Sequence, residues 1–436
     1  MCQTKAQFVE TVNKLLHSQK GTISKSEIKA MVAYLGEVTQ VFTDTDMNDS
    51  KKTQTACGVA ISPVQAAKCF EETVRTQMFA QGVANAIADK LLANIKPIKI
   101  LYAGTGPYAT LLLPLLAASS EQLPLEITLL DIHQENIAAV ETLITHFGLE
   151  GYQIELVHGD ATQWRPNRKQ QHFDIIISET MTALLKREPQ VFIFKHLVQY
   201  LQSDGVLIPE RISLKTWLTP QSQQSEGDVF VGEFFCLDKE RAQALNRGDD
   251  ACFYAELIIP DGDWAEHVVK LTTDIQIYRD LSLHEGDCSL NIAFAFSPYD
   301  AVLTPSKLIV FKYVQPDSPD FSVVFPKPEW KRTDFKLPQS GDTSTLGLVQ
   351  IKRSFQRAYL IKRGEQVATS EQEWQGELCL YDALSLNSRE VIGKMYELER
   401  FTDFEKWLSE RVGPLDNVTI TSINHQCLAK ITDVKT

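Results

Sequence analysis

The sequence predicts an α/β protein built on a parallel sheet covered by helices, with a helical extension before it and a β-rich, barrel-like domain after it. Three observations carry this expectation. From Ile98 to Pro209, apolar strands alternate with amphipathic segments of helix length. The run Ile175-Ile176-Ile177 is apolar throughout, as a parallel strand buried on both faces must be. Beyond Pro209 the strand-like segments are short and separated by Pro, Gly, Asp and Ser turns.

Size and charge narrow the classes open to the chain. Its 436 residues exceed one ordinary core, and the texture divides into a helical extension over 1–60, a central domain over 61–209 and a β-rich domain over 210–436. With a net charge of −13, phosphate-backbone binding is disfavoured and a cationic partner mildly favoured, so no nucleic acid is expected. The eight cysteines are scattered, without a CxxC or a nearby histidine at zinc-ligand spacing, so no metal is expected. No apolar run reaches membrane-spanning length and the N-terminal residues do not read as a signal peptide, so a reducing, cytoplasmic location without membrane contact is the expectation.

Taken in order, residues 1–47 read as helical, with Phe8, Val12, Leu15 and Leu16 on one face and Ile28, Met31, Val32 and Leu35 on another. The polar stretch Asp44 to Gln54 reads as a linker. Ser62-Pro63 offers an N-cap and a first-turn proline for a helix through Phe70 toward Met78, and Val83, Ile87, Leu91 and Ile95 mark the stripe of the next. Strands then follow at Ile98–Ala103, Ile127–Asp131, Ile154–Val157 and Ile175–Ile177. A helix from Pro107 through Leu115 and another carrying Ile137, Val140, Ile144 and Phe147 lie between them. The last strand runs into Ser178-Glu179, a short loop reaches Glu188-Pro189, a helix follows, and Gly205 opens a fifth strand ending at Pro209. Further strands are expected at Ser213–Leu218, Cys252–Ile259, Leu290–Phe296, Lys307–Tyr313 and Leu348–Lys352, with helices at Asp238–Leu245 and Asp403–Val412.

The chemistry-bearing residues sit at strand carboxyl ends, where open α/β sheets place ligands. Gly104-Thr105-Gly106 follows the first strand and permits close backbone approach. Asp131, with Ile132 after it, ends the second strand, where a carboxylate can accept both hydroxyls of a ribose. Asp160, with Ala161, ends the third, beside the place of an adenine amino group. Each acid alone is as readily a turn or capping aspartate. In sequence they describe an adenosine site. The third glycine of a dinucleotide fingerprint is absent, because position 109 is Ala, and no Gly-Lys-Ser/Thr follows. A class I methyltransferase using S-adenosyl-L-methionine fits this pattern better than a dehydrogenase or a P-loop protein.

Two glutamates flank the loop after the fourth strand, Glu179 and Glu188, nine positions apart. That spacing, with Ser178-Glu179-Thr180-Met181 before and Asp204-Gly205-Val206-Leu207-Ile208-Pro209 after, resembles the double-glutamate loop of the protein arginine methyltransferase family and its run into a β-barrel domain. Upstream, Thr73-Val74-Arg75-Thr76-Gln77-Met78-Phe79 is similar to the family's E-V-R-T-x-x-Y/F helix. The resemblance implies a Rossmann-like class I methyltransferase domain in which Arg75 holds the cofactor carboxylate, Glu179 and Glu188 grip the acceptor guanidinium, and Met181 borders the cofactor. It also implies Gln372-Glu373-Trp374 as the nearest match to the threonine-histidine-tryptophan loop, making Glu373 and Trp374 substrate-binding candidates. The implied acceptor is an arginine-containing protein or peptide or a small molecule such as free arginine, and the implied assembly is a homodimer joined by an arm, for which the helix near Asp238 is the candidate. The chain departs from the family at Tyr102, in place of the usual acid, at Tyr108, in place of the third glycine, and at Thr180-Met181-Thr182-Ala183, in place of W-M-G-Y. These departures keep two rivals open: a small-molecule N- or O-methyltransferase of specialised metabolism, and a cofactor-binding protein without turnover.

Overall fold

The computed structural model describes residues 3–43, 50–93, 97–167, 172–220, 227–262, 264, 267–296, 308–314, 318–324, 347–364, 367, 377–378, 380–381, 384–413, 418–423 and 426–431. The chain forms two units, one of residues 1–296 with 307–326 and one of residues 297–306 with 327–436. In the first unit, α1 (Lys5–His17) and α2 (Lys25–Thr39) each begin with a capping box, Thr4 with Gln7 and Ser24 with Glu27, which satisfies otherwise orphaned N-terminal donors. A small hairpin of β1 (Thr53–Thr55) and β2 (Gly58–Ala60) follows. Ser62 caps α3 (Pro63–Cys69) as its sequence suggests. The chain then breaks at Phe70–Glu72, and α4 runs unbroken from Thr73 to Ala93 rather than as the two shorter helices expected. Gly82 does not interrupt it, because its bare backbone is where Ile277 of a later strand packs.

The central elements are β3 (Ile98–Ala103), α5 (Leu113–Ala118), β4 (Leu125–Asp131), α6 (Gln134–Phe147), β5 (Gln153–His158), β6 (Phe173–Ser178), α7 (Gln190–Leu197) and β7 (Leu201–Ile208). The five strands form one parallel sheet in the order β5-β4-β3-β6-β7. Ile100 of β3 pairs with Ile127 on one side and Ile175 on the other, so the apolar rows meet at the centre. All six residues of β6 are buried, and the Asp174 carboxylate among them accepts from the Lys99 backbone N–H at 2.8 Å. The strand order reverses between β3 and β6, and the crevice at their carboxyl ends is the place such sheets offer a ligand. One local expectation fails there. The helix expected from Pro107 starts at Leu113, after turns that include Ala109 at φ 41°, so the glycine pair is followed by a compact turn and only a six-residue helix.

After β7 come β8 (Arg211–Pro220), β9 (Val229–Asp238), α8 (Lys239–Asn246), β10 (Tyr254–Ile258), β11 (His267–Tyr278), β12 (Leu281–Leu283), β13 (Phe294–Phe296), β14 (Leu308–Val314) and β15 (Asp320–Val324). They form two antiparallel sheets, β12-β11-β8-β9 with β13 on β11, and β10-β14-β15. Among the described residues no strand pairing closes these sheets into a barrel. Aromatic rings bridge them instead: Phe234 stacks on Phe311 at 4.1 Å and Phe235 on Tyr313 at 5.8 Å between centroids.

In the second unit, the segment Leu348–Lys352, expected as a strand, lies in a helix over Gly347–Lys362. Ile351, Phe355 and Ala358 recur there at helical spacing and enter a core with Tyr381, Val391, Met395, Phe404 and Leu408. Helices Ser388–Glu397 and Phe401–Val412 complete that core, the latter where the sequence places it. Strands Val418–Ile423 and Gln426–Ile431 pair as a hairpin. Among the described residues no helix is long and apolar enough to cross a membrane.

The helical extension is fastened to the helix that carries Arg75. Gln77 of α4 donates to Ser18 Oγ (2.9 Å) and Gln19 O (2.9 Å) and accepts from Gly21 N (2.8 Å), while Gln81 donates to Leu15 O (2.9 Å). On the far side of α4, Gly82 lets Ile277 of β11 approach so closely that a Cβ would collide with it. Gly82→Val is therefore expected to cost about 2 kcal/mol by overpacking, read as a lowered urea midpoint with an unchanged slope.

Candidate active site

The crevice between β3 and β6 opens into a cavity of about 510 Å³. Its lining includes Arg75, Gly104, Thr105, Gly106, Asp131, Ile132, Asp160, Ala161, Glu179, Met181 and Glu188, so every described catalytic and cofactor-binding candidate reaches one space. Glu373 and Trp374 lie outside the described residues. Ser289 and Leu290, which precede β13, also line the cavity, as do Glu72, Cys69, His133 and Asn136. Sequence reading passed over all six. Glu72 alone carried a signal, because it stands three positions before Arg75, where a carboxylate meets a guanidinium on the first turn of a helix.

At the glycine end, backbone geometry explains the residue types. Gly104 and Gly106 have φ of 76° and 60°, the left-handed region that other side chains resist. A Cβ on Gly104 would collide with the Thr180 methyl, and one on Gly106 would press Ala66 of α3 at 3.3 Å. The turn is held by Asp131, 5 % exposed, whose Oδ2 accepts from Gly106 N at 2.9 Å. Its Oδ1 accepts from His133 N at 2.8 Å and from Asn136 Nδ2 at 2.9 Å. Asp160 is likewise built into its turn, accepting from Thr162 N (2.8 Å) and Thr162 Oγ1 (2.7 Å). The turn role and the cavity-lining role thus coincide in both acids. Of the two tyrosines that could crowd the turn, Tyr108 points into the core and donates to Val41 O at 2.6 Å, whereas Tyr102 lines the cavity. Burial pushes the Tyr102 phenol well up, with Glu179 adding to the effect, so it stays a neutral hydroxyl.

At the other end the two proposed partners of different ligands are paired with each other. Arg75 Nη2 donates to both oxygens of Glu179, at 2.5 and 2.6 Å, and Nη1 donates to Glu72 Oε1 at 2.9 Å. Glu72 is fixed from outside by Ser289, whose N–H and Oγ donate to its carboxylate at 2.7 and 2.6 Å. Burial pushes the Glu179 carboxyl up against the pull of Arg75. Burial also raises Glu72, but Arg75 and the Ser289 donors outweigh it and hold that carboxyl below its ordinary value. The Cys69 thiol beside them is pushed up to about 11 by burial, which keeps it protonated and a poor nucleophile.

The loop from Glu179 to Glu188 is held in costly backbone conformations. Leu184, Leu185 and Arg187 have φ of 60°, 54° and 65°, and Glu188 follows, 7 % exposed. Gln190 Oε1 anchors the loop's entrance by accepting from Thr180 N at 2.8 Å. Thr273 Oγ1 accepts from Leu184 N at 2.9 Å, and Tyr313 donates to Leu185 O at 2.9 Å. Among the described residues no group of three or more His, Cys, Asp or Glu side chains is placed to hold a metal ion.

Two outcomes follow from the charged cluster. Arg75→Met leaves Glu179 buried without its cation, so a loss of about 3–5 kcal/mol is expected from urea unfolding. Arg75→Met with Glu179→Met, which removes both charges, should recover most of it. Glu72, with its lowered folded pKa, stabilises the protein above its unfolded value near 4.3, and that stabilisation is lost as pH falls through the lower folded value. Glu72→Gln is expected to cost about 1 kcal/mol at neutral pH, and its gap from wild type should narrow as urea titrations are carried below about pH 4.

No protein-family model matches the chain, and no curated protein matches it. Among solved structures, the Trypanosoma brucei PRMT1 enzyme-prozyme heterotetrameric complex with AdoHcy aligns over 57 % of this chain and 88 % of that one, with 13 % identity and a TM-score of 0.37. A likeness of that size leaves the functional reading to the site itself.

Proposed function

We propose that the protein is an S-adenosyl-L-methionine-dependent methyltransferase whose acceptor is the guanidino nitrogen of an arginine. The observation that carries this reading is that Glu179 and Glu188 line the same cavity as the Gly104–Gly106 turn, Asp131 and Asp160. Asn136 supports the fit of a nucleoside. It lines the cavity and its Nδ2 donates to Asp131 Oδ1 at 2.9 Å, which places an amide beside the acid at the ribose end. Asp131 and Asn136 would hold the ribose, the glycine turn would admit the amino-acid portion, Asp160 with Ala161 and Ile132 would border the adenine, and Arg75 would face the carboxylate.

The cofactor, when bound, supplies an electrophilic methyl group on a sulfonium. The chain's own residues must make a poor nucleophile competent. A guanidinium delocalises its lone pairs over three nitrogens. Carboxylates on two sides draw the positive charge toward the nitrogens they grip and leave the third aligned for attack, so the gain is orientation and electrostatics. Glu188 and Glu179 are the acids in position, and either can receive the proton. A ligand carboxylate arriving at Arg75 would compete with Glu179 for Nη2, which frees Glu179 as the site fills. Tyr102, kept neutral, adds a hydroxyl without adding charge.

S-adenosylhomocysteine is expected to bind in calorimetry, and Gly106→Val to abolish that binding. With labelled S-adenosylmethionine and arginine-rich peptides or free arginine, Glu188→Gln should lower kcat by about 10²–10³. Transfer undiminished in that variant would remove the carboxylate pair from the mechanism, and product masses from a panel of other amines would reveal a different acceptor.

A further inference from the structure

The hairpin β1–β2 has no role in the reading above, yet it touches both rims of the cavity. Thr55 and Ala60 line the cavity wall. Cys57, at the hairpin turn, lies beside Asp160 and the Thr162 hydroxyl, at the adenine end. Two residues later the chain meets the loop before Glu188: Val59 N donates to Arg187 O at 2.7 Å. Arg187 N in turn donates to Pro319 O at 2.6 Å, so the residue before Glu188 is held from both sides.

Gly58 makes this approach. Its φ is 129°, outside the range of ordinary side chains. A Cβ there would collide with Arg187 O and press Glu188 C at 3.2 Å and Pro319 Cδ at 3.2 Å. The turn itself is tied by Thr55, whose Oγ1 donates to Gly58 O at 2.6 Å and accepts from Cys57 N at 3.1 Å. Arg187, at φ 65°, needs such restraint, because a non-glycine residue in that region relaxes unless its surroundings fix it.

We infer that Gly58 is a positioning residue for Glu188: by letting the hairpin backbone close on Arg187, it holds the strained loop so that the Glu188 carboxylate faces the cavity. This rests on the proposed methyltransferase reading only for the identity of the reaction, since the restraint itself is a property of the protein alone. The hairpin fixes the acceptor end while its turn rests on the nucleoside end.

The test separates the two levels. Hydrogen exchange by mass spectrometry is measured on wild type and Gly58→Ala, following peptides over 183–190 and over 173–178. Exchange over 183–190 is expected to rise about tenfold with β6 unchanged, and unchanged exchange over 183–190 overturns the inference. If Gly58→Ala also loosens 173–178, the milder Thr55→Val decides, with about threefold faster exchange confined to 183–190 expected and none overturning it. In turnover with an arginine-glycine-rich peptide, kcat should fall about tenfold while the KM for S-adenosylmethionine stays within about threefold. An equal change in both, or neither, assigns Gly58 a purely structural part. Wild type that fails to bind S-adenosylhomocysteine would defeat the proposed function and leave the exchange result standing.

Discussion

The ion pair between Arg75 and Glu179 sets the terms for the rest of the first unit. Each ion loses several kcal/mol of hydration when it is buried, and only close geometry with further hydrogen bonds returns it. Here Glu179 receives both contacts from one guanidinium nitrogen while Glu72 occupies the other. The first turn of α4 and the carboxyl end of β6 must therefore keep their relative position. Much of the surrounding structure serves that end. Gln77 and Gln81 bind the extension to one side of α4, Gly82 admits β11 on the other, and β6 lies inside the sheet between β3 and β7.

The acids around the cavity divide by what already satisfies them. Asp131 accepts backbone N–H groups from the glycine turn and from His133, and Asp160 accepts from Thr162, so these acids shape their end of the cavity as much as they present charge to it. Glu72 and Glu179 are paired with the Arg75 guanidinium. Glu188 is placed by a backbone that is itself under strain, and the cost of three left-handed non-glycine residues is borne by clamps from β2, β11, β14 and the segment before β15. Precision at the Glu188 end thus comes from elements outside the parallel sheet, whereas the other end is held by that sheet's own strand-end turns.

That division explains what was legible. The parallel sheet could be read because Ile98–Ala103, Ile127–Asp131 and Ile175–Ile177 are mostly apolar stretches between amphipathic segments, and the glycine turn and strand-end acids stand at their carboxyl ends. The Arg75–Glu179 pairing could not, since it joins residues 104 positions apart and each had a plausible separate partner. The helix over 347–362 reads as a strand because Val349-Gln350-Ile351-Lys352 alternates apolar and polar over four residues, and only Phe355 and Ala358 reveal the longer period. Ser289 and the hairpin residues were invisible for a different reason. A serine in a turn and a glycine between a cysteine and a valine carry no chemical signature until the fold brings them to Glu72 and Arg187.

The two glutamines on α4 have a consequence for how this chain can be divided. Their amides are buried, and the oxygens that satisfy them belong to the end of α1 and the turn that follows it. A shortened chain that lacked this pair of helices would not simply lose a surface ornament: it would leave those amide hydrogens without their partners, on the helix whose first turn carries the cavity's buried cation. The leading segment is thus a wall of the same building, and an ancestor or engineered relative without it would need apolar replacements at positions 77 and 81.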